Sequence, residues 1–132
     1  MSSSDPTRLL QELAEGGLEA VPALQLATVA DECARQADVT GDARYSTLAT
    51  TFRETFDWWT DHDERGGIPT AVANGIDRVI MMQLSRVITS DDQAEAFRAA
   101  TQLANDIRAY LTGPEEWIEL GYLKPIDDDP PR

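Results

Sequence analysis

PTAVANGIDRVIMMQLSRVIT, residues 69–89, is the stretch that decides the fold. At about 100° per residue, Val72, Ala73, Ile76, Val79, Ile80, Leu84 and Val87 fill one broad arc. Met81 and Ile88 extend that arc, leaving only a narrow polar strip. A helix apolar around most of its circumference belongs at the centre of a bundle or at a subunit interface. An all-α bundle is therefore expected, and with it a homodimer. Asp77 falls inside the arc, flanked by Ala73, Met81 and Leu84. A carboxylate there must find a partner, in an arginine or the end of a neighbouring helix, or move its pKa upward.

Punctuation on either side of this helix delimits the others. Asp5 and Pro6 make a helix start, Leu9, Leu10 and Leu13 share one side, and Gly16-Gly17 reads as the stop. A second helix is expected from near Pro22 to about Asp38, before Gly41. Asp42 caps a third, running to about Glu64 and ended by Gly66-Gly67. Pro69 opens the fourth, and Ser90 with Gln93 forms a capping-box pattern for a fifth that closes before Gly113. Pro114 opens a short helical turn through Leu120. Five main helices and this turn make one domain over 1–123, and residues 124–132 read as a flexible acidic tail with too little apolar material to pack. No strand pattern and no internal repeat are present.

The second and fifth helices carry apolar faces rich in alanine. Ala23, Ala27, Ala30, Ala34 and Ala37 surround Leu26 and Cys33, while Ala96, Ala100 and Ala104 lie among Phe97, Leu103, Ile107 and Leu111. Small side chains let helix axes approach closely. Cys33 sits mid-stripe with no histidine near it in sequence, which makes it a core filler rather than a nucleophile.

On the third helix, Tyr45, Leu48, Phe52, Phe56 and Trp59 form the core stripe. Trp58 points the other way, among Thr47, Thr51, Glu54, Asp61, His62 and Arg65. An aromatic on an otherwise polar face is either covered by a neighbouring element or serves as a contact anchor. His62 is the chain's one histidine, set between Asp61 and Asp63. A transition-metal site draws several ligands from His and Cys, and this chain has one of each. Adjacent Asp61 and His62 diverge by about 100°, so the stretch reads as a solvated helix end that can contribute to a contact patch.

Charge bounds the function classes. The 132 residues include 24 acids and 11 bases, a formal net charge of −13. No basic surplus is available to neutralise phosphates, so neither direct nucleic-acid binding nor an anionic membrane surface is expected. There is no run of about 20 apolar residues that could cross a bilayer. The start of the chain does not read as a secretory signal, and one cysteine forms no internal disulfide; a cytoplasmic location is expected. No phosphate loop, nucleophile elbow or cysteine knuckle appears. The expected function is that of a non-enzymatic interaction or regulatory protein whose acidic helical surface binds a basic protein partner, with no cofactor. Trp58, Asp61, His62 and Glu54 form one candidate contact, and Trp117 with Glu116 and Glu119 another. The alternative is a divalent-metal enzyme or metal-binding bundle using carboxylates such as Glu12 with Glu15, Glu116 with Glu119, and Glu32.

Overall fold

The computed structural model describes residues 6–112, and those residues form an all-α bundle. Helices α1 (Pro6–Ala20), α2 (Leu26–Thr40), α3 (Ala43–Arg65), α4 (Thr70–Thr89) and α5 (Gln93–Thr112) follow one another, with a single 3₁₀ turn at Ala23–Gln25. Among the described residues there is no strand. Asp5 and the expected turn at 114–120 lie outside the described residues, as does the tail at 124–132.

Each helix packs chiefly on two others, in the cyclic order α1, α2, α3, α5, α4. Consecutive α3 and α4 touch little along their lengths, because α5 returns into the space beside α3. The start of α3 meets the end of α4 through Arg44 and Val87, and Gly75 early in α4 meets Tyr110 late in α5. Helices α3 and α5 therefore run in the same direction, with α4 antiparallel to both. Inside the ring lie Leu10, Leu13, Leu26, Val29, Leu48, Phe52, Ile76, Ile80, Leu84, Leu103 and Ile107, all essentially without solvent contact. Each such side chain stabilises the fold by about 1.5–3 kcal/mol relative to exposure.

Two glycines set how closely the helices approach. Gly17 does not stop α1; the chain kinks there (φ 62°, ψ −150°) and continues for another turn to Ala20. A Cβ on Gly17 would run into Asp77 Oδ1 and would meet Met81 Cγ at 2.9 Å. The kink releases the Leu18 N–H from the helix ladder, and Asp77 Oδ1 accepts it at 2.8 Å. Asp77 thus finds its partner at the broken end of a neighbouring helix, one of the two expected solutions. Gly75 is the second such position, since the Tyr110 ring fills the volume its Cβ would occupy.

Several expectations are corrected. Helix α4, expected at the centre of the bundle or at a subunit interface, packs on α1 and α5 within the ring. Val72, Ile76, Ile80, Leu84 and Val87 are buried, whereas Met81 is 44% exposed and Met82 71%. The second helix starts four residues after Pro22, because the chain first makes the 3₁₀ turn. The capping box at Ser90 does not form: Asp92, immediately before α5, caps it by accepting from the N–H groups of Ala94 (2.9 Å) and Glu95 (3.3 Å). Phe97, placed with the core from sequence, is 44% exposed. Asp42 does cap α3, accepting the Arg44 N–H at 3.0 Å.

Candidate functional site

The C-terminal half of α3 carries the first sequence-derived contact patch, and the structure brings part of it together. Trp58 and His62, one turn apart, stack with ring centroids 3.9 Å apart and planes 22° from parallel. His62 Nδ1 lies 3.0 Å from the Trp58 carbonyl oxygen. A carbonyl only accepts, so Nδ1 carries the hydrogen in this contact. Asp61, at a 3.9 Å Oδ2–Nδ1 separation from His62, pairs with Arg65 on the next turn. The hydrogen bond from the Arg65 guanidinium, against an upward push from burial and aided by the nearby positive charge, holds the Asp61 carboxyl below the usual carboxylate range. Arg65 also offsets the unfavourable placement of acids at a helix C-terminus.

Trp58 is half-buried and packs against the core, so the face it occupies is not a plain solvent face. Thr51 and Thr55 are buried, their hydroxyls satisfied by the carbonyls of Thr47 and Thr51 at 2.8 Å. The sequence showed a polar face because threonine hydroxyls can be satisfied by their own helix and so tolerate burial. Glu54, on the same face and exposed, pairs with α5: its Oε1 accepts from Arg108 Nη2 at 3.0 Å. The candidate patch at this end comprises the Trp58–His62 stack with Asp61, next to exposed Asp63 and Glu64. Trp117, Glu116 and Glu119 lie outside the described residues.

This surface carries few chemical groups. It offers one imidazole, already hydrogen-bonded and stacked, and carboxylates that are paired or solvated. Among the described residues no three His, Cys, Asp or Glu side chains converge as a metal-binding group. Cys33 is buried on α2; burial first, and the neighbouring Glu32 charge second, push its thiol up to about 12. It is a protonated core side chain at neutral pH. No described helix is long and apolar enough to cross a membrane.

Sequence reasoning missed Arg44. Its side chain is buried at the junction of α3 and α4, where Nε and Nη2 each lie 2.9 Å from Asp42 Oδ2. Nη1 donates to the carbonyls of Val87 (2.8 Å) and Ser90 (2.9 Å). One guanidinium thereby satisfies the helix cap below it and the carbonyl end of α4 beside it. The only trace in sequence is the Asp-x-Arg spacing, which is far too common to single out.

No family model matches the chain, and neither a curated protein nor a solved structure matches it.

Proposed function

We propose that this chain is a non-enzymatic interaction protein of the cytoplasm that binds a basic protein surface through its acidic helices. The observation that carries the reading is where its cations go. Arg8, Arg35, Arg44, Arg53, Arg65 and Arg108 each lie within ion-pair distance of an acid of the same chain, while Arg78, Arg86 and Arg98 have none among the described residues. Glu19, Asp31, Asp38, Asp63, Glu64 and Glu95 are exposed, with no cation in ion-pair distance among the described residues. Among the described residues, the acidic excess therefore lies on the surface rather than in buried ion pairs. Such a field speeds encounter with a basic partner and repels acidic ones. The Trp58–His62 stack supplies a preordered aromatic anchor beside Asp61, Asp63 and Glu64, the combination of flat contact area and charge that concentrates binding energy.

The test is affinity capture from the native lysate followed by association kinetics with the recovered protein. The reading expects a basic partner whose association slows as salt rises and is slowed further by Asp61→Lys with Asp63→Lys. A neutral partner with salt-independent association overturns it. So does a stoichiometric divalent ion in protein purified without chelator.

A further inference from the structure

The described surface of this acidic chain has one ridge of opposite character. Arg78, Met82 and Arg86 follow each other at every fourth residue of α4, on the side away from the core. Neither arginine has an acid in ion-pair distance among the described residues. Met82, in the middle of the ridge, is 71% exposed, and Met81, 44% exposed, lies to its other side against Gly17 of α1. Beside the ridge runs a groove of about 320 Å³ shared with α5, lined by Met82, Gln83, Arg86, Ala99, Gln102 and Asp106.

We propose that this ridge and groove hold the chain's own C-terminal segment, residues 115–129. That segment has the complementary chemistry: Glu115, Glu116 and Glu119 surround Trp117, Ile118 and Leu120, and Tyr122, Leu123 and Ile126 precede Asp127, Asp128 and Asp129. Arginine pairs with carboxylates in charge-assisted, often bidentate hydrogen bonds and also stacks on indole faces. Exposed methionines adapt their shape to aromatic side chains. Reach is sufficient, because Tyr110 near the end of α5 already touches Gly75 of α4. Met82 lies seven residues further along α4, about 10 Å at helical rise. Trp117 is five residues beyond Thr112, which spans up to ~17 Å. The tether raises the effective concentration, so a few contacts suffice.

Charge argues against the other occupants. Two copies each carrying −13 repel, and a two-fold pairing of antiparallel α4 strips about Met82 sets Arg78 of one copy against Arg86 of the other. A foreign acidic partner meets the same repulsion. The inference does not depend on the identity of the basic partner.

The test places a nitroxide on Gly121→Cys in the full chain; buried Cys33, with its thiol near 12, stays unlabelled. The ε-methyl NMR signals of Met81 and Met82 report its proximity. Expected is a loss of most of their intensity that is reversed by Arg78→Glu with Arg86→Glu and by high salt, with far-UV circular dichroism unchanged. Sharp Met81 and Met82 signals overturn the proposal, as does broadening that survives the double charge reversal. Broadening when label and isotope sit on different chains also overturns it, in favour of a second copy.

Discussion

Replacing Arg44 with methionine tests the junction of α3 and α4 while keeping most of the side-chain volume. The substitution removes the ion pair with Asp42 and the donors to Val87 and Ser90, at a site where the two side chains are 8% and 7% exposed. Summing four charge-assisted hydrogen bonds at about 1.5–3 kcal/mol each overstates the loss, because the bonds share one group and act as a unit. Breaking one side of a buried pair costs about 3–5 kcal/mol. Asp42 keeps the Arg44 backbone N–H at 3.0 Å, so the lower end applies, about 3 kcal/mol. In a urea melt this lowers the midpoint by roughly 1.5–2 M with m unchanged. In a thermal scan it lowers Tm by about 12 °C. Burial pushes the Asp42 carboxyl up, but the hydrogen bonds and charge of Arg44 outweigh it and hold the group below its ordinary value. The folded-state pKa is depressed, so this stabilisation is complete above the unfolded value near ~4 and fades as pH falls through the folded value. The gap between wild type and Arg44→Met should accordingly hold from pH 7 downward and shrink below pH ~4. A loss below about 1 kcal/mol, no larger than the surface-pair scale expected of Arg53→Met at its exposed pair with Asp57, would refute the reasoning.

Gly75→Ala should destabilise by about 1–3 kcal/mol in the same melts, because its methyl displaces the Tyr110 ring; Gly75→Ala combined with Tyr110→Leu should cost less than the sum of the single changes. Asp77→Ala should cost about 1–2 kcal/mol by leaving the Leu18 N–H without its acceptor, whereas Asp77→Asn, which keeps an acceptor oxygen, should recover most of that stability. Cys33 should resist a thiol-directed reagent at pH 8 in the native protein and react promptly in denaturant, since burial and Glu32 raise its pKa to about 12; rapid native labelling would mean that α2 opens locally.

The amino-acid sequence by itself determined the number and type of the described helices and most of their ends. Caps are local: Asp42 accepts a donor two residues away, and Gly41 donates to Ala37 at the end of α2. The 3.6-residue period marked Leu48 and Phe52 on α3, and Ile76, Ile80 and Leu84 on α4, as core before any neighbour was known. Tertiary structure alone decided which helices became neighbours and which residues at the margins of each apolar face were covered. The Gly16-Gly17 pair looked like a stop because glycine ends helices. It proved to be a kink, because Asp77, 59 positions from Leu18, supplies the acceptor that lets the chain continue. Met81 looked like core by period and is nearly half exposed, because α1 and α5 cover only the two flanks of α4. Glu54 is paired by Arg108 of α5, a partner 54 positions along the chain that its own helix gives no sign of. In each case the deciding group comes from a distant part of the chain and acts over a few ångströms. Periodicity and capping signals report a residue's own turn and cannot register such a neighbour.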